Sequence, residues 1–262
     1  MRMHSLEEKK EQFARLLNIM SDLRTQCPWD KEQTFESLRT LTIEETYELA
    51  EAIMNDNKQE ISKELGDLLL HVVFYAQIGS ETGDFDIVDV IDKLCAKLIY
   101  RHPHIYGDVE ADNPEKVMQN WEDLKLKEKG GNRSVLAGVP TSLPALVKAH
   151  RIQDKARSAG FDWDEKEQVW DKVQEEIGEL QTEISAMDKD KMEAEFGDLL
   201  FSIINAARLY DINPENALER TNRKFIERFN YLEAQTIAKG IDLKKMSLED
   251  MEEIWQKAKK VD

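Results

Sequence analysis

Apolar residues recur three and four positions apart over long stretches of the chain, with polar and charged residues between them. That is the period of a helix with one buried face. Alternating β-branched runs are scarce, and so are glycine and proline inside these stretches; the pattern predicts helix nearly throughout and no strand. At 100° per residue Val169, Val173, Ile177, Leu180 and Ile184 fall on one stripe, and Leu199, Ile203 and Ala206 form another on the next segment. Asn113-Pro114 and Asn213-Pro214 each put a capping side chain before a proline suited to a first helical turn. From Gly130 to Pro144, Gly130, Gly131, Gly138, Pro140 and Pro144 would break any helix. The expected organisation is a domain over residues 1–128, a connector over 129–148 and a second domain over 149–262.

The two halves repeat each other. Ile43-Glu-Glu-Thr-Tyr-Glu-Leu returns 131 positions later as Gln174-Glu-Glu-Ile-Gly-Glu-Leu, and Glu64-Leu-Gly-Asp-Leu-Leu returns at the same offset as Glu195-Phe-Gly-Asp-Leu-Leu. Lys93 and Lys97 match Lys224 and Arg228 without a gap. On the flanks the offset is 134, pairing Trp29-Asp30 with Trp163-Asp164 and Trp121 with Trp255. A tandem duplication explains this, with about a hundred residues per copy, an ordinary domain size. The fold class expected is all-α, two tandem helical bundles.

Composition narrows the function. The charged fraction of 34% beside 41% hydrophobic residues suits amphipathic helices. A net charge of −17 opposes nucleic-acid binding, which draws on Lys and Arg. A small phosphorylated ligand stays compatible, because cations held by carboxylates invert the local field. Cys27 and Cys95 are too few for a disulfide framework, the N-terminal stretch reads as neither signal nor transit peptide, and the longest apolar run, Leu68 to Ala76, is far too short for a bilayer. The expectation is a soluble, cytoplasmic protein with no membrane partner.

The acids carry the chemistry. Glu176 and Glu179 share a helical face that borders the apolar stripe, and Glu175 reaches the side of Glu179. Glu195, Asp198 and Ser202 line up on the following helix. Packing the two helices antiparallel would gather four carboxylates, whose repulsion at an interface calls for protonation, pairing or a cation. An all-oxygen set suits Mg²⁺, with Mn²⁺ as substitute. Iron is disfavoured, since a di-iron bundle wants Glu-x-x-His, whereas Asp67 and Asp198 stand at that position and His71 faces Ser202 across the copies. Taken alone, Glu-Glu-x-x-Glu in an acidic protein reads first as a solvated helix face; its duplication with a Glu-x-x-Asp partner at fixed spacing, next to apolar positions, favours the site. Gly66 and Gly197, between the acids, suggest a close helix approach.

Glu-Glu-x-x-Glu followed by Glu-x-x-Asp, present in both copies, resembles the signature of the MazG family of all-α nucleoside triphosphate pyrophosphohydrolases. The resemblance extends through Cys27-Pro-Trp-Asp, Tyr100-Arg-His-Pro-His-Ile-Tyr-Gly, Leu143-Pro-Ala-Leu and Gly160-Phe-Asp-Trp. It implies tandem MazG-like domains, a homodimer, and cleavage of NTPs and dNTPs to monophosphate and pyrophosphate. Carried over by motif, Glu176, Glu179, Glu195 and Asp198 would hold Mg²⁺ in the second copy, and Glu45, Glu48, Glu64 and Asp67 in the first. Glu175 and Glu44 would orient or deprotonate the attacking water. Lys224 and Arg228, with Lys172 and Lys191, are candidates for phosphate; Lys93, Lys97 and Arg101 are their counterparts in the first copy. Solvated charges are the competing reading for these cations. Trp255 would stack on base or ribose, or else pin the last helix to the core; Phe161 and Trp163 are expected in the core. The second copy is preferred as the working one because Arg228 stands where the first has Lys97. Two other functions compete: a non-catalytic helical dimerisation or partner-binding module with structural cations, and a narrow pyrophosphohydrolase for one pyrimidine deoxynucleotide or a phosphoribosyl metabolite.

Overall fold

The computed structural model describes residues 3–260 apart from 111, 114–115, 118–119, 122–123, 126–133, 164 and 239. Asp164, Pro114, Gly130 and Gly131 therefore lie outside the described residues. The chain divides into two compact units, Met1–Asp112 and Asn113–Asp262. Among the described residues there is no strand, and no helix is long and apolar enough to cross a membrane.

The first unit contains α1 (Leu6–Gln26), α2 (Pro28–Glu32), α3 (Phe35–Met54), α4 (Lys58–Thr82), α5 (Ile87–Arg101) and α6 (Pro103–Tyr106). Reciprocal capping boxes start three of them: Ser5 with Glu8, Thr34 with Ser37, and Asp86 with Asp89. Asn57 caps α4, which ends at Gly83 in the left-handed region. Only Asn55, Asp56 and Asn57 separate α3 from α4, so the two run back along each other as a helical hairpin. Met20 from α1, Leu38 from α3 and Val73, Phe74 and Ile78 from α4 form the core, with Phe13, Leu41 and Leu70 packed against them. Burying each large apolar side chain contributes about 1.5–3 kcal/mol.

The second unit contains a short 3₁₀ turn (Val135–Gly138), α7 (Ala145–Ser158), α8 (Val169–Ala186), α9 (Lys189–Leu209), α10 (Pro214–Ile237) and α11 (Leu248–Ala258). Asn213 caps α10 through Asn216 N–H, and Asn113 accepts from Lys116 N–H at 2.8 Å, as their proline-preceding positions predicted. Its α8–α9 hairpin, turned by Met187 at φ 58° and Asp188, is the equivalent of α3–α4. Val169, Val173, Leu180, Ile204, Ala206, Leu232, Ile254 and Ala258 are buried. Ile184 and Ile203, placed on the apolar stripes by the helical wheel, are exposed. Ile204, one residue along, takes the core position on α9, and Ile203 turns to the outer face.

An arginine clamps the turn before each acidic hairpin, half-buried Arg24 in the first unit and buried Arg208 in the second. In the first unit Arg24 pairs with Glu81 at 2.5 Å and donates to the carbonyls of Asp30, Lys31 and Gln33. In the second, Arg208 holds Asp162 at 2.5 and 3.1 Å. This clamp corrects the expectation of a core site for Phe161 and Trp163. Gly160, at φ +86°, reverses the chain, the Asp162 carboxylate turns to Arg208, and Phe161 is left 84% exposed with Trp163 also exposed.

Candidate metal centres

The hairpins bring the predicted acids together in both units. Glu45, Glu48 and Glu64 each offer a carboxylate oxygen within 4.8 Å of the others, and so do Glu176, Glu179 and Glu195. Glu45 and Glu48 lie one turn apart on α3, and Glu64 meets them from α4; α8 and α9 do the same for the second set. One member of each trio is buried, Glu64 at 3% exposure and Glu176 at 5%. Asp67 and Asp198 stand outside these close sets, yet their charges are felt. Burial, then Asp67, Glu48, Glu64 and Glu44, push Glu45 above the usual carboxylate range. Burial, then Glu179, Asp198, Glu176 and Glu183, do the same to Glu195. Glu44 and Glu175 are exposed beside the clusters.

The donor set fits a hard divalent cation. All ligand atoms are carboxylate oxygens, and Glu64 Oε2 is buried with no hydrogen-bond partner, a cost that a cation removes.

Of the predicted cations, Lys172 is at the cluster, 2.7 Å from Glu176 and 3.1 Å from Glu175, and these bonds hold its ammonium above the ordinary lysine range. Lys191 instead lies 3.7 Å from both Glu183 and Asp188. Lys224 is exposed on α10 with Arg228 one turn on; Lys93 and Lys97 are exposed on α5, with Arg101 at its end. Trp255 is half-buried against Phe225, ring centroids 5.0 Å apart.

Two further features at the first cluster carry no sequence motif. Lys63 reaches Glu64 Oε1 at 2.8 Å, a contact that its place beside Glu64 could have suggested. Behind the first cluster, Thr42, His71 and Tyr75 are linked: Thr42 Oγ1 lies 2.9 Å from Leu38 O, 2.6 Å from His71 Nδ1 and 2.7 Å from Tyr75 Oη. The Thr42 hydroxyl is the shared atom of all three contacts, and its single proton can serve only one of them, so the others are made by its lone pairs. The close approach expected at Gly66 and Gly197 is absent. A Cβ at either would meet nothing within 4 Å, because both glycines lie on the exposed side of their helices.

The family model described as the MazG nucleotide pyrophosphohydrolase domain matches twice, over residues 33–106 and 165–232. Each match takes in one acidic hairpin. The chain is 46% identical over 250 residues to the nucleoside triphosphate pyrophosphohydrolase/pyrophosphatase MazG of Thermotoga maritima, covering 94% of this chain and 95% of that one. It is 43% identical over 256 residues to the nucleoside triphosphate pyrophosphohydrolase of Escherichia coli, covering 95% and 97%. A third relative, the Bacillus subtilis protein YabN, is 45% identical over 96% of this chain and 52% of its own length.

Proposed function

The chain belongs to the MazG nucleotide pyrophosphohydrolase family, and from that premise we propose the division of labour by which it splits nucleoside triphosphates into monophosphate and pyrophosphate. The observation that carries the assignment is the duplicated trio of carboxylates, one of them buried, converging from two helices in each unit.

Glu176, Glu179 and Glu195, with Asp198 beside them, would hold Mg²⁺ in the second unit, and Glu45, Glu48, Glu64 and Asp67 would hold it in the first; Mn²⁺ would substitute. Bound there, a divalent cation would supply charge neutralisation for the phosphates and acidify water. Glu175 and Glu44, exposed next to the trios, orient the attacking water and accept its proton. Lys172, Lys224 and Arg228 offset the triphosphate charge in the second unit, Arg228 by a bidentate fork. That fork makes the second unit the principal site. Lys191, Lys93, Lys97 and Arg101 supply further positive charge to the nucleotide.

The working form is a homodimer. The acidic hairpins expose matching apolar residues on their second helices: Leu65, Leu69 and Val72 on α4, Phe196, Leu200 and Ile203 on α9. Rows of this kind on a helix face call for a partner surface, and a second copy of the chain supplies one. Light scattering on the purified protein should return twice the chain mass.

Product analysis with each NTP and dNTP, with and without Mg²⁺, tests the assignment. Monophosphate and pyrophosphate should form only with metal, and Glu176→Ala should lower turnover by about 10²-fold or more, the size of a lost transition-state contact. Nucleoside diphosphate and orthophosphate as products would overturn it.

A further inference from the structure

Each trio has one lysine ammonium on its buried glutamate, but the two lysines come from opposite helices. In the second unit it is Lys172 of α8 on Glu176, at 2.7 Å; in the first it is Lys63 of α4 on Glu64, at 2.8 Å. The equivalent of Lys172 in the first unit is Leu41, and the equivalent of Lys63 in the second is Ala194. One copy has the lysine where the other lacks it, and the reverse holds at the second position. Solvated surface charges would have no reason to trade places in this way. A buried carboxylate would, because without a counter-charge it carries a heavy desolvation cost.

The two ammonium groups and a divalent ion make the same demand on the same carboxylates. Glu64 and Glu176 are the buried members of the trios, and in the first unit the second oxygen, Glu64 Oε2, is buried and unpartnered. Lys63 has an exposed side chain and Lys172 is only partly covered, so either ammonium can leave on its flexible stem without disturbing the core. Once displaced, it stays within a side-chain length of the cluster where the phosphates must lie.

We propose that Lys63 is the transposed counterpart of Lys172: each ammonium holds the buried glutamate of its unit, gives it up to the divalent ion and then turns to the triphosphate. This rests on the metal reading of the carboxylate trios given above, and it adds Lys63 to the substrate-positioning residues of the first unit.

The test is calorimetric titration of Mn²⁺ into the full-length protein without nucleotide, one site being silenced at a time. With Glu195→Gln silencing the second unit, Lys63→Met should tighten Mn²⁺ binding roughly tenfold, the scale of one charge-assisted hydrogen bond. Lys172→Met should have no effect there. With Glu64→Gln silencing the first unit, the two lysines should exchange roles. In either background the methionine variant should also weaken binding of a non-hydrolysable triphosphate with Mn²⁺ present, and Lys→Arg should restore it. Unchanged or weaker Mn²⁺ binding in Lys63→Met would overturn the proposal while leaving the metal centres intact. Tighter Mn²⁺ with unchanged triphosphate binding would overturn the hand-over to phosphate. Absence of Mn²⁺ binding by the unsubstituted protein would overturn the metal reading itself, and this proposal with it.

Discussion

The α3–α4 hairpin of the first unit and the α8–α9 hairpin of the second carry the same acids at the same spacing on unlike interiors. Behind the first cluster sit Thr42, His71 and Tyr75, joined through the Thr42 hydroxyl; the equivalent positions in the second are Val173, Ser202 and Ala206. Those side chains cannot repeat the network, and Ser202 bonds back to Leu199 O in its own helix. The clamps differ as well. Arg24 spreads its donors over three carbonyls and the partly exposed Glu81, whereas Arg208 commits to Asp162 and Asn205 in a more enclosed setting. After duplication the carboxylates stayed, while what supports them was rebuilt independently in each copy. Ligand geometry depends on helix register, which the hairpin keeps, but the packing behind it has many equivalent solutions.

The sharpest way to separate the clamps is to remove them. Arg208→Met removes an enclosed guanidinium and its hydrogen bonds to the Asp162 carboxylate and should cost about 3 kcal/mol in denaturant unfolding; Arg24→Met, whose carboxylate partner Glu81 is more exposed, should cost about 2 kcal/mol. Equal losses would erase the distinction. The pH dependence follows from Asp162. Burial pulls its carboxyl up, but hydrogen bonds from Arg208 and the Trp163 backbone and the nearby arginine charges outweigh burial and hold it below the usual range. Its contribution is therefore present above the ordinary carboxylate pKa and lost as pH falls through the depressed one. The deficit of Arg208→Met should shrink in acid.

His71→Leu against Ser202→Ala compares the interiors. Breaking the Thr42 network should cost about 1–3 kcal/mol, whereas the serine change should cost under about 1 kcal/mol. Hydrogen exchange along α4 and α9 reads the two separately. Burial lowers the His71 pKa, partly offset by Asp67, so the network is held together by a neutral imidazole at neutral pH.

The smallest effect concerns the clusters themselves. Glu45 and Glu195 have raised folded-state pKa values, so their ionisation opposes folding above those values, and the penalty disappears as pH falls toward the ordinary carboxylate range. In chelator at neutral pH, Glu45→Gln and Glu195→Gln should each raise the melting temperature slightly, and the gain should vanish in acid. In Mg²⁺ both should melt below the unsubstituted protein, because they have lost a ligand. A gain in only one unit would mean that the lysine in the other already neutralises its cluster.

The all-α class, the two copies, the hairpin acids and the caps at Asn113 and Asn213 were legible in the sequence, because helical period, spacing and capping chemistry act over a few neighbouring residues. Phe161, Trp163, Ile184 and Ile203 were not: hydrophobicity says that a residue gains from burial, but only the packed neighbours decide whether burial is available. The Cβ space at Gly66 and Gly197 was likewise a property of the finished interface. The lysine on each buried glutamate depended on which ammonium could reach across or along a helix, and so did the Thr42–His71–Tyr75 link and the choice of Asp162 over its aromatic neighbours as the clamped residue. Periodicity determines which residues share a face; what meets that face is set by contacts between elements distant in the chain, and only the tertiary structure decided those.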